Sequence, residues 1–139
     1  MKHGWVLALV LSLSALPGSG FAGISCGGDN AGALVLTGEA ERGYALAQPD
    51  TGEIQVGEQF ALSILLCGKA GDSRVTAVDA QMPKHGHGMN YRARVAAGND
   101  GDYTANGMIL HMPGDWRLIV DVEQDGQAVR YSVDIKVAP

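Results

Sequence analysis

The chain has 139 residues and a formal net charge of −5, with 10 lysines and arginines against 15 aspartates and glutamates. The charges are interspersed along the sequence and form no basic patch, so we expect no nucleic-acid partner. The length fits one domain with a single modest core.

The N-terminus has the features of a signal peptide. Lys2 and His3 form a short basic region, and the apolar run that follows, residues 5–16, is too short to span a bilayer. Gly20 and Ala22 place small residues at the −3 and −1 positions of a cleavage site. We therefore predict a periplasmic or secreted protein, cleaved after Ala22 and not inserted in the membrane, with residues 23–139 as its single domain. An uncleaved N-terminal anchor is the alternative.

The chain contains two cysteines, Cys26 and Cys67. An even pair in an exported protein predicts a disulfide. In the chain-entropy model this bridge stabilises the fold by about 4 kcal/mol at most. The alternative is that both thiols bind a metal ion.

Short runs typical of β-strands follow residue 30. In chain order they are 33–37, 44–46, 54–56, 60–66, 74–81, 91–96, 103–111, 116–122 and 129–137. The last run alternates most clearly, with apolar residues at every second position from Val129 to Val137. Asp125-Gly126 predicts a hairpin turn before it, and no window has helical periodicity. We predict an all-β protein, an immunoglobulin-like β-sandwich of seven to eight short strands.

Two clusters of histidine and methionine are the main functional signal. The first is Met82-Pro-Lys-His85-Gly-His87-Gly-Met89, and the second is Met108-Ile-Leu-His111-Met112. Imidazole and thioether together are ligands suited to copper, above all copper(I), with copper(II) as the imidazole-rich alternative. Zinc would more often recruit cysteine or carboxylate beside histidine. Imidazole ligates only when neutral, so binding should weaken below about pH 6.5.

The spacing within the first cluster allows a shared site. Residues two apart on an extended chain lie about 6.5–7 Å apart on one face, so His85 and His87 can reach the same ion. Met89 would lie about 13 Å from His85 unless the loop curls. Gly86 and Gly88 permit that curl because glycine accepts positive φ. The predicted metal ligands are His85, His87, Met89, His111 and Met112, with Met82 as a reserve donor.

Each candidate ligand also has a purely structural interpretation. His85 and His87 can belong to a solvated glycine-rich loop, and His111 can be a hydrogen-bonded surface histidine. Met112 can be core or ligand, whereas Met108 is predicted to fill the core. Trp116 follows a Pro-Gly turn and is predicted to pack between the sheets.

The motifs resemble those of a known family. Met82-Pro-x-His85-Gly-His87-Gly-Met89, then Gly101-x-Tyr103, then Met112-Pro-Gly-x-Trp116 resemble the YtkA-like group of exported bacterial domains, which is related to the FixH and CopC-like sandwiches. The resemblance covers residues 50–137 and implies an immunoglobulin-like sandwich with a role in periplasmic copper handling. The chain departs from CopC-like copper(II) sites because cleavage after Ala22 leaves no N-terminal histidine. That departure argues against an oxidative copper enzyme.

Together these features predict a copper carrier or buffer, with a periplasmic or membrane copper protein as a candidate partner. The alternative is a metal-free exported interaction module that assists assembly of a membrane or envelope complex. We do not expect an enzyme, because the sequence has no Ser-His-Asp pattern, no paired carboxylate motif and no phosphate-binding loop.

Overall fold

The computed structural model of the chain describes residues 23–39, 42–68, 71–98 and 101–139. The predicted signal peptide and its cleavage position lie outside these residues. Within the described ranges every regular element is a β-strand, and no helix is long and apolar enough to cross a membrane.

The described residues form nine strands: β1 (Leu34–Thr37), β2 (Tyr44–Pro49), β3 (Gln59–Cys67), β4 (Ser73–Met82), β5 (His87–Gly88), β6 (Arg94–Ala97), β7 (Asp102–Ile109), β8 (Gly114–Gln124) and β9 (Gln127–Val137). They pair antiparallel in one sheet with the order β5-β4-β8-β9-β1-β2-β3-β7-β6. The predicted all-β fold is confirmed, with nine strands in place of seven to eight.

The sheet curls so that its two halves face each other like the layers of a sandwich. β4 packs near β6 and β7 from the opposite end of the strand order. The hydroxyl of Tyr103 on β7 donates to the carbonyl oxygen of Ser73 on β4 at 3.3 Å and joins the halves. The core between them contains the fully buried Met108 and Trp116, as predicted for both residues.

A β-bulge in β4 changes which of its residues face the core. The sequence pattern places Val75 with Ala77 on one face and Val78 with Ala80 on the other, but Val75, Val78 and Ala80 are all buried. The register with β8 shifts between Val75 and Ala77, so one extra residue is inserted there. After the extra residue the inward and outward positions of β4 are exchanged. Val78 and Ala80 therefore face the core, as Val75 does before the bulge.

The hairpin between β8 and β9 forms as predicted, with Asp125 and Gly126 at φ of 49° and 76°. The outer face of β4, β8 and β9 carries charged residues in cross-strand pairs. These ion pairs are Arg117–Asp134 at 2.7 Å, Arg130–Asp121 at 2.7 Å and Arg74–Glu123 at 3.1 Å. Five of the six side chains are solvent-exposed and Asp121 is half-buried, so each pair contributes little to stability.

The predicted disulfide between Cys26 and Cys67 is confirmed, with a Cα–Cα distance of 5.5 Å. Neither sulfur is a free thiol, so the alternative of a two-thiol metal site is wrong for this state of the protein. Cys67 ends β3, whereas Gln59 begins β3 and pairs with Ile109 within the second histidine-methionine cluster. The bridge therefore lies at the other end of the strand from that cluster. A disulfide is compatible with an exported protein.

Candidate metal site

The first histidine-methionine cluster is built on a tight turn between β4 and β5. The backbone N–H groups of His85 and Gly86 both donate to the carbonyl oxygen of Met82, at 3.1 and 3.0 Å. Gly86 has φ of 63°, a conformation that other residues adopt with strain. The chain reverses there, and His87 pairs with Met82 across the hairpin. Gly86 therefore turns the chain through its positive φ, whereas Gly88 lies in the short strand β5.

The turn brings the two exposed histidine rings side by side. The ring centroids of His85 and His87 lie 6.5 Å apart, with an angle of 34° between the ring planes. Metal–imidazole bonds are about 2.0–2.1 Å long, so two rings on opposite sides of one ion have centroids about 6 Å apart. The observed separation is close to that of two rings flanking a single ion.

Met89 and Met82 are placed differently from each other. Met89 is half-buried against the core, and its N–H donates to the carbonyl oxygen of Ala80 at 3.1 Å. Met82 is 3% exposed and belongs to the core. A Cβ built on Gly114 would lie 3.1 Å from the Met82 methyl carbon, so the glycine makes room for this side chain. Met89 is thus the more accessible thioether of this cluster.

The second cluster is fixed by Trp116. The indole Nε1–H of Trp116 donates to the carbonyl oxygen of Met112 at 2.9 Å. The His111 ring packs edge-on against the indole, with centroids 5.6 Å apart and an interplanar angle of 81°. Trp116 is fully buried, whereas His111 and Met112 are half-buried. One rigid core residue therefore orients both candidate ligands between β7 and β8.

The two clusters lie at the same end of the sheet. β4 pairs with β8, and Gln81 is opposite Arg117. The turn after β4 therefore lies beside the start of β8, directly after His111 and Met112 in the chain. An ion pair of 2.7 Å between Lys84 Nζ and Asp115 Oδ2 holds the turn there.

The structure does not join the two clusters into one coordination sphere. Among the described residues, no three histidine, cysteine, aspartate or glutamate side chains form a group that could hold a metal ion. Within the same ranges, no hydrogen bond or ring contact connects His85 or His87 to His111. The set of five ligands, which includes methionine sulfur, stays a prediction.

Sequence reasoning missed two features of this region. The Lys84–Asp115 ion pair joins residues 31 positions apart, and no local pattern signals it. The contacts of Trp116 with both His111 and Met112 were also not foreseen, although the spacing of four residues between Met112 and Trp116 across a Pro-Gly turn is a usable signal for such a contact. Both features position the candidate ligands without supplying a donor.

The Lys84–Asp115 pair gives the turn a dependence on pH. The hydrogen bond from Lys84 and the attraction of its charge hold the pKa of the Asp115 carboxyl below its ordinary value of 3.8. The same contact raises the pKa of Lys84 above 10.5. A carboxyl with a lowered pKa in the folded state stabilises the fold above its ordinary pKa, and this contribution is lost as the pH falls through the lowered value.

We therefore expect Asp115→Asn to be slightly less stable than the parent above pH 3.8 and to converge with it at lower pH. The difference should be small because both groups are exposed. Urea unfolding at a series of pH values on both sides of 3.8 measures it. Asp134→Asn, which breaks the exposed pair with Arg117 and leaves the turn intact, should show a pH dependence of the same sign, because Arg117 also lowers the pKa of Asp134. A difference between parent and Asp115→Asn that does not change with pH would contradict this assignment.

Comparison of the chain with known protein families, with curated proteins and with solved structures finds no match.

Proposed function

We propose that this protein is an exported copper-binding carrier or buffer that holds copper(I) through histidine and methionine side chains at one end of the sheet. The observation that supports this most directly is the placement of His85 and His87 on one tight turn, with ring centroids 6.5 Å apart. Two imidazoles on opposite sides of an ion form a low-coordinate arrangement, and thioethers are the soft donors that suit copper(I). The motifs that resemble the YtkA-like group point the same way.

The exposure of the ligands favours a carrier over a permanently bound cofactor. Both histidines of the turn are solvent-exposed, so an acceptor can approach the ion and replace its ligands. Met89 and Met112 are half-buried and can supply a third donor from the sheet end. We do not propose oxidative catalysis, because cleavage after Ala22 would leave Gly23, and not histidine, at the N-terminus.

A copper titration of residues 23–139 tests this proposal. We expect one copper(I) per chain under ascorbate, which keeps copper reduced, and weaker binding of copper(II) in air. Trp116 is the one tryptophan in this range, and its ring lies 5.6 Å from His111. Quenching of its fluorescence at one equivalent would therefore show that the second cluster takes part.

The alternative function gives a different result in the same titration. A metal-free interaction module would bind neither copper(I) nor copper(II) more tightly than free histidine does. That outcome would overturn the copper-binding proposal, and the histidine turn would then be assigned to contact with an assembly partner.

A further inference from the structure

An exposed aromatic and cationic segment follows the histidine turn. Tyr91 is 63% exposed, which makes it one of two large hydrophobic residues that are strongly exposed in the described part of the chain. Arg92 and Arg94 beside it are also exposed. Tyrosine and arginine are enriched at the centres of protein–protein interfaces. We refer to Tyr91, Arg92 and Arg94 as the cationic rim.

The cationic rim lies between the two histidine-methionine clusters along the chain and in the fold. It starts two residues after Met89, whose N–H is bonded to β4. Arg94 begins β6 and pairs with Asn106 on β7. Three residues beyond Asn106, β7 ends at Ile109, and His111 follows. The rim therefore occupies the same end of the sheet as the candidate metal ligands.

The two arginines of the cationic rim have no charged partner within the described part of the chain. Arg74, Arg117 and Arg130 each have a carboxylate partner across a strand. Within the described ranges, Arg92 and Arg94 have no ion pair and no side-chain hydrogen bond. Two unpaired cations in a chain of net charge −5 form a local positive surface beside the copper ligands. Such surfaces steer partners of opposite charge and set their orientation.

We propose that the cationic rim docks an acidic surface on a protein that accepts copper from this one, an inference that rests on the proposed function. Tyr91 supplies contact area, and the two arginines bring the acceptor's donor atoms to His85 and His87. An anionic lipid surface fits less well, because lipid-binding clusters contain about four to eight basic residues and the rest of this chain is acidic.

Transfer of copper(I) to two synthetic peptides tests the docking. Both peptides contain the same methionine and histidine donors, and their flanking residues are glutamates in one and lysines in the other. At about 0.01 M salt, where the Debye length is about 30 Å, we expect the copper-loaded protein to transfer copper about ten-fold faster to the glutamate peptide. The preference should vanish at about 1 M salt, where that length is about 3 Å.

Two double variants with equal net charge locate the effect. Arg92→Gln/Arg94→Gln should abolish the preference for the glutamate peptide. Arg42→Gln/Arg74→Gln should keep it, because Arg42 bonds to Gln127 and Arg74 pairs with Glu123 at the end of β8 that is remote from the turn. If both variants showed the same preference for the glutamate peptide, the inference would be overturned and the proposal of copper binding would stand. Failure of the parent protein to take up copper would overturn the proposed function together with the inference.

A vesicle flotation experiment distinguishes a lipid surface from an acidic protein as the partner. Flotation of the parent protein with phosphatidylglycerol vesicles, abolished by Arg92→Gln/Arg94→Gln, would assign the cationic rim to a membrane surface and overturn docking of an acidic protein. Absence of flotation, together with a transfer preference that depends on the rim, supports the inference.

Discussion

Replacing both His85 and His87 with alanine should lower the affinity for copper(I) by about 100-fold or more. The loss of residues that merely orient a ligand costs about 10- to 100-fold in metal affinity, so the loss of two ligands should cost at least the upper value. Both side chains are exposed, so the free energy of unfolding should change by less than about 0.5 kcal/mol. Competition with a copper(I) chelator measures the first quantity, and urea unfolding without copper measures the second.

Two further variants make this result specific. Pro83→Ala alters the same turn without removing a donor or the Lys84–Asp115 ion pair, and it should retain most of the affinity. His111→Ala should lower the affinity and abolish the Trp116 fluorescence response if both clusters bind one ion, because His111 is the ring in contact with Trp116. If the double histidine variant binds copper(I) as tightly as the parent, the turn is not the site and the interaction module becomes the better interpretation.

Replacing Met108 with alanine should have the opposite effect, lowering the free energy of unfolding by about 2–5 kcal/mol with little change in copper affinity. Met108 is 0% exposed and lies opposite Phe60 in the pairing of β3 with β7. Truncation leaves a cavity there because the neighbouring strands relax only in part. The cost is a large part of the stability of a small domain, which is about 5–15 kcal/mol. Urea unfolding should be measured without copper, since bound metal stabilises the native state.

Met112→Ala is the matched control for the core variant. Met112 lies four residues further along the chain and is half-buried, so its truncation should cost less stability than that of Met108. If Met112 is a ligand, its replacement should lower the copper affinity, which Met108→Ala should leave unchanged. A loss of copper affinity in Met108→Ala as large as in the double histidine variant would contradict the assignment of Met108 to the core.

The strand pattern was predictable where burial follows simple alternation and less so elsewhere. The apolar positions of β9 and the Asp125-Gly126 turn are local signals, and both are confirmed. The run 54–56 was predicted as a strand but lies between β2 and β3, where Ile54 and Val56 pack on the core from a loop. β5 was not predicted, because Gly88 has no strand propensity and pairing with β4 alone extends it.

The sequence was sufficient to select the candidate residues, but it did not predict how the fold places them relative to one another. Histidine and methionine at short spacing indicate the candidate donors, because ligand chemistry is a property of the side chains. The position of the two clusters at one end of the sheet depends on the pairing of β4 with β8, and local sequence does not specify such long-range pairing. The register between Gln81 and Arg117 is therefore a property of the whole fold.

The pairing of β9 with β8 has a practical consequence for the design of these measurements. Val137, two residues before Pro139, lies opposite Gly114, the glycine that makes room for Met82. A polyhistidine tag added after Pro139 would therefore place foreign imidazoles beside the candidate ligands, where they would compete for copper and obstruct an acceptor. Gly23 borders a cavity lined by Gln48, Ser63 and Asp102, and Asp102 begins β7 at the end of the strand away from His111. An affinity tag at that position keeps its own metal chemistry apart from that of the protein.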